Sequence, residues 1–202
     1  MPVTESTQRL IAALESGGLL LLQDKSFPSV VGVITGESLA GSWWSHPRSD
    51  EVFRAVGAIA AHPDVLTCKL YGAKVTFVHR TLWPAVLAVV QAGEPWQTAA
   101  ALSLDANLLL ESIEREGSVT TSGKVAKDVE NRLLAHGEQL HIESGNHKIR
   151  LEPWSAWTLR EGCKTILSAD QGRARLEAAV VSLGGTIKNL PWHAFKPRRR
   201  SN

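Results

Sequence analysis

The chain has little of the residues that usually announce a chemistry. Among 202 residues there are two cysteines, one methionine and one tyrosine. Cys68 and Cys163 make neither a disulfide framework nor a zinc ligand set. None of G-x-x-x-x-G-K-S/T, G-x-G-x-x-G, H-E-x-x-H or C-x-x-C occurs, so no phosphate cradle, dinucleotide turn, zincin site or dithiol centre is written locally. No nucleophile elbow supports a Ser-His-Asp arrangement. No charge of one sign dominates. Lys and Arg number 22 against 20 Asp and Glu, a net +2, and Lys196, Arg198, Arg199 and Arg200 supply four of the positives. An argument for an acidic partner therefore rests on the tail and on local patches, not on the bulk. Leu19 to Leu22 is far too short for a bilayer, which takes about 20 apolar residues. Glu5, Arg9 and Glu15, with no apolar segment before them, argue against a secretory leader. The expectation is a soluble, cytoplasmic protein without a membrane partner.

What is present centres on Gly41 to Pro84, which holds Trp43, Trp44 and Trp83 together with His46, His62 and His79. Ser49 reads as an N-cap, with Asp50 and Glu51 in the first turn, where the helix dipole favours negative charge. Val52, Phe53, Val56, Ile59 and Ala60 follow at helical spacing, and His62-Pro63 stops the helix. Val65 to Arg80 reads as a hairpin. With Tyr71-Gly72 as the turn, Leu66 faces Phe77, Cys68 faces Val75, and Lys69 stands directly opposite Lys74. Like charges so placed repel unless an anion lies between them. Two readings follow, lysines splayed into water or a phosphate or carboxylate seat.

Before this stretch, residues 4–16 predict a helix ended by Gly17-Gly18, and Pro28 opens a short helix to Ile34, closed at Gly36. After it, Pro84 suits the first position of an apolar helix through Gln91. Gly93-Glu94-Pro95 is the best domain boundary. Leu104, Leu108, Leu109 and Ile113 predict a helix ending at Gly117. A turn then leads to a helix over 124–136 with Val125, Val129 and Leu133 inward, and a hairpin about Ser144-Gly145-Asn146. There Leu140, Ile142, Ile149 and Leu151 share the inward face, while His141, Lys148 and Arg150 point out. Helix, turn, helix and hairpin is the order of a winged helix-turn-helix, although the turn is long. Ser168 to Gln171 fits a capping box for a final helix. The fold expected is α+β. Residues 1–94 form a helix-and-hairpin half with a tryptophan-rich loop. Residues 95–195 form a winged-helix-like half with a C-terminal helix, and 196–202 a basic tail.

The blocks GSWWSHP, KLYGAKVTFVHRTLWP and RLLAHGEQLHIESGNHKIRLEPW resemble those of a family of uncharacterised bacterial proteins, across most of the chain. That resemblance implies no activity. In architecture alone the second half is similar to the winged-helix DNA glycosylases that excise alkylated bases, but their catalytic motif is not found here.

The leading functional reading is nucleic-acid binding, DNA favoured. Lys124, Lys127 and Asn131 on the second helix would approach a groove, while His147, Lys148 and Arg150 on the wing meet phosphates. Arg198, Arg199 and Arg200 would act as an electrostatic tether. Asp128 and Glu130 on the same helix count against it. An alternative is an enzyme with a pocket over residues 41–80, lined by Trp43, Trp44, His46, Lys69, Lys74 and His79. The tryptophans can equally plug a core, or stack on bases if exposed. A third reading is an assembly module, with which a homodimer is compatible. No cofactor is implied, and His136, His141 and His147 lack the spacing of a metal set.

Overall fold

Caps and turns delimit the elements much as their sequence signals suggest. A computed structural model describes residues 4–98, 102–141 and 147–194. Helix α1 (Glu5–Gly17) starts where Thr4 Oγ1 accepts from the Thr7 N–H and ends at Gly18 in the left-handed region. Strand β1 (Leu19–Leu21) takes up the leucine run, with all three side chains buried. Helices α2 (Val30–Thr35) and α3 (Ser49–Ala60) follow, then the hairpin strands β2 (Val65–Tyr71) and β3 (Lys74–His79). Helix α4 (Trp83–Val90) has proline in its first turn and is buried from Ala85 to Val90. Short α5 (Pro95–Thr98) precedes α6 (Leu104–Glu116), which ends at Gly117. Strand β4 (Val119–Thr121), helix α7 (Lys124–Asn131) and strands β5 (His136–His141) and β6 (His147–Glu152) come next. The described chain closes with α8 (Trp154–Glu161), α9 (Ala169–Ser182) and α10 (Pro191–Ala194).

The protein is thus α+β, with two three-stranded antiparallel sheets of order β1-β3-β2 and β4-β6-β5. Apolar side chains gather in three clusters. Leu10, Leu14, Ile34, Val52 and Phe77 fill one, and Ala106, Ile113, Val129, Ile149 and Leu151 fill another. The largest joins Leu19, Leu66 and Val86 to Trp154, Trp157, Leu176 and Val180, so it runs across the Gly93–Pro95 segment. Its centre is the crossing of α9 on α4. The Ser168 capping box is formed with both reciprocal hydrogen bonds.

The first hairpin departs from its expected register. Leu66 pairs with Val78, Thr67 with Phe77 and Cys68 with Thr76, and the ladder shifts between Cys68 and Tyr71 before Tyr71 meets Lys74. The turn is Gly72-Ala73, not Tyr71-Gly72, with φ of 60° and 56°. Two positive φ values give the twist that two-residue hairpins favour. The cause is Tyr71. Its ring stacks on Phe27 at 4.8 Å and its hydroxyl accepts from the Thr186 N–H, so the residue is drawn out of the turn and into the strand. Leu66 and Phe77 consequently feed different clusters on opposite faces of the sheet. Lys69 and Lys74 do not oppose each other, and the anion-seat argument built on that pairing falls.

Ala73 holds a left-handed conformation that L-residues adopt at a cost of about 1–2 kcal/mol. Ala73→Gly is expected to raise stability by roughly 0.5–1 kcal/mol, read from the urea midpoint at unchanged slope.

Helix ends and the second hairpin also depart from expectation. Ser49 does not cap α3, whose N-cap is Arg48 without a side-chain hydrogen bond. Helix α7 stops at Asn131, not 136, because Leu133 turns into the left-handed region and Gly137 is already in β5. In the second hairpin, Gln139 stands opposite Ile149 and Leu140 opposite Lys148. Gln139 and Gly137, not Leu140, are thus the register partners of Ile149 and Leu151. The face of β5 and β6 that bears Arg150 also bears His136, Glu138 and Glu152. The hairpin tip, residues 142–146, lies outside the described residues.

Candidate functional site

The alternation of the strands decides what the two sheets show each other. Strand β2 lies near β5, and α7 packs on β2, leaving a cleft of about 570 Å³ between the sheets. Val56, Leu66 and Trp157 give it apolar wall, and Thr67, Lys69, Glu130, His136, Glu138, Arg150 and Arg160 give it polar groups.

Ala126 and Val129 turn α7 toward its own core, which rotates Glu130 toward the cleft. Its side chain lies over Gly137. A Cβ there would stand 3.0 Å from both Cγ and Cδ of Glu130, so glycine is what leaves room for the carboxyl. Burial raises the Glu130 pKa, against the lowering effect of Lys69, His136 and Lys127. Burial lowers that of Lys69, partly offset by Glu130 and reinforced by Lys127. Each group is thus pushed toward its neutral form, because lost hydration disfavours the charged state.

Beside this pair is a closed network. His136 Nδ1–H donates to Glu152 Oε1 at 2.9 Å, which fixes the tautomer of the ring, and Arg160 grips both carboxylate oxygens at 2.6 and 2.7 Å. Burial opposes the Glu152 charge, yet these hydrogen bonds prevail and hold its pKa at about 2. The His136 ring also meets Trp154 edge-on at 5.4 Å, anchoring the network in the largest cluster.

The residues expected to form a pocket over 41–80 do not assemble there. Trp43 is a core residue, stacked at 3.9 Å on Trp44, which is 57% exposed. His46 Nε2 lies 3.3 Å from Glu37 Oε1. Lys74 binds Asp24 at 2.6 Å, and His79 is buried, bonded to Thr81. Of that set only Lys69 lines the cleft. For the two lysines the register is the reason, since it no longer sets Lys69 opposite Lys74; Trp43, Trp44 and His46 lie outside the hairpin.

The residues expected to meet nucleic acid fall into three groups. Lys124 and Lys127 are exposed on α7 and Asn131 is half-buried. Lys148 and Arg150 are exposed on β6, but Arg150 lies 3.6 Å from Glu138 and borders the cleft, and His147 opens β6 opposite His141. Arg198, Arg199 and Arg200, with Lys196, lie outside the described residues. Sequence reasoning missed Thr67, Glu152 and Arg160, and took Glu130 for a surface acid. No local signal marks them, because β2, α7 and β6–α8 meet only through tertiary packing.

Among the described residues, no three His, Cys, Asp or Glu side chains are grouped to hold a metal ion, and no helix is long and apolar enough to cross a membrane. No family model, curated protein or solved structure matches the chain.

Proposed function

We propose that the protein binds nucleic acid, duplex DNA favoured, through the outer face of α7 with β6 beside it. The observation that carries this reading is the fate of the two acids on that helix. Asp128 is paired with Arg132 at 3.1 Å, and Glu130 is turned into the cleft and 5% exposed. Neither is presented to solvent as a free negative charge, while Lys124 and Lys127 stay exposed. Helix, strand, helix and hairpin with strand order β4-β6-β5 is compatible with a winged-helix arrangement that brings one helix and one hairpin to a duplex. Phosphate contacts of this kind supply affinity without sequence information.

The test is the salt dependence of binding to a labelled duplex. Each phosphate-facing cation adds about 0.9 to the slope of log affinity against log salt. Lys124→Ala with Lys127→Ala is expected to lower that slope by nearly two. Lys148→Ala with Arg150→Ala is expected to lower it by about one, since Arg150 already has Glu138 beside it. A parent protein that fails to bind duplex at low salt, or an α7 variant with an unchanged slope, overturns the reading.

A further inference from the structure

The α7 lysines leave the cleft itself unused, and its polar floor is poorly accounted for by folding alone. Glu130 is 5% exposed, and its Oε2 has no hydrogen-bond partner among the described residues. Thr67 Oγ1, on β2 in the same cleft, is likewise buried without a partner. A buried polar atom left so destabilises the fold, and more so if charged. Native folds hold few such groups, and each calls for a reason. Glu130 packs directly on Gly137, where a Cβ would stand 3.0 Å from its Cγ and Cδ.

The charges in the cleft narrow what would use these atoms. Glu138 has Arg150, Glu161 has Arg160, and Glu152 behind them holds Arg160 and His136. Glu130 and Lys69 remain, opposite in sign and coupled through the field, but not joined in an ion pair. Whether both are ionised or both neutral, the pair carries no net charge, so an occupant with net charge would lack a counter-charge in a half-buried place, which is unfavourable. An occupant with a donor for Glu130 and an acceptor for Lys69 satisfies both. Apolar wall beside convergent polar groups, around a volume of this size, suits a small molecule with a polar edge.

We propose that the cleft between the sheets binds a small molecule without net charge that presents a hydrogen-bond donor beside an acceptor. This is the edge offered by carboxamides, ureas and lactams. Glu130, Thr67 and Lys69 read that edge, and Leu66 and Trp157 hold the apolar body. The site is distinct from the outer face of α7, so each surface stands or falls by its own measurement.

The experiment is an NMR titration of the 15N-labelled full chain with 2-pyrrolidinone, a compact lactam, and with acetate and guanidinium as charged counterparts. The lactam is expected to give saturable shifts at the amides of Thr67, Lys69, Glu130 and Gly137, with affinity in the millimolar range fitting so small a probe. Glu130→Ala should weaken it about tenfold or more, and Thr67→Val about fivefold. Glu130→Gln, which keeps the shape and a polar end, should retain most of the binding. Should Glu130→Ala fail to give a dispersed spectrum, Thr67→Val carries the same test. Absence of shifts at these amides, tighter binding of acetate or guanidinium than of the lactam, or an unchanged affinity in Thr67→Val overturns the proposal.

Discussion

Replacing Glu152 by alanine is expected to lower stability at neutral pH by about 3 kcal/mol, at the lower end of what breaking a buried ion pair costs. The substitution leaves His136 buried without its acceptor, while Arg160, which is 46% exposed, can turn partly to water. The pH dependence has a definite sign. The Glu152 carboxyl is held at about 2 in the folded protein, below its ordinary 4.5. Its contribution is therefore present above the ordinary value and is lost as pH falls toward 2. Between those limits the parent should give up roughly 2–3 kcal/mol that Glu152→Ala no longer has to lose. Urea unfolding at pH 7, 4.5 and 2.5 measures both effects. Asp24, also held at about 2 by Lys74 and two backbone N–H groups against the effect of burial, keeps a smaller acid limb in the variant. Equal losses in parent and variant from pH 4.5 to 2.5 would contradict the assignment.

The second large effect is expected at Gly172. A Cβ on this residue of α9 would meet the Ala85 carbonyl oxygen at 2.7 Å and the Ala88 Cβ at 2.9 Å, both on α4. Neither is the free end of a flexible side chain, so the helices must separate. Separation loosens Leu176 and Val180, which are fully buried in the largest cluster. Overpacking of this sort costs about 1–3 kcal/mol. For Gly172→Ala the better helix propensity returns about 1 kcal/mol, leaving a net loss of up to roughly 2. Gly172→Val has the larger side chain and little propensity gain, and a loss of roughly 3 kcal/mol is expected. The chemical-denaturation midpoints of the pair give the order. A valine variant as stable as the parent would show that α4 and α9 are not held at this crossing.

Much of the fold was legible because its signals are local. Thr4 and Ser168 cap helices through their own side chains, glycines end α1 and α6, and proline enters the first turn of α4. Each depends on backbone geometry within one or two turns, and the sequence spells that out. Both hairpins were legible as hairpins, with apolar alternation on each strand, yet both were misregistered. Register is set by what the turn and the first paired residues pack against, and that contact is remote. In β2 it is Tyr71 with Phe27 and Thr186, far away on either side in sequence. A one-residue slip moves every side chain to the other face, which is why the lysine seat failed with it.

By itself, then, the sequence determined the α+β class, the position of most of the helices, and the exposure of Lys124 and Lys127. Periodicity and caps act within a few residues, and these features need nothing more. The tertiary structure alone decided that α9 closes on α4, that β2 faces β5, and that Glu130 is a cleft residue and not a surface acid. A glutamate in an amphipathic helix has the same local pattern whether the next layer is water or another sheet. Its environment is set by the burial of Leu66, Leu133, Trp154 and Trp157 in one cluster, which draws the sheets together and takes the water from around it.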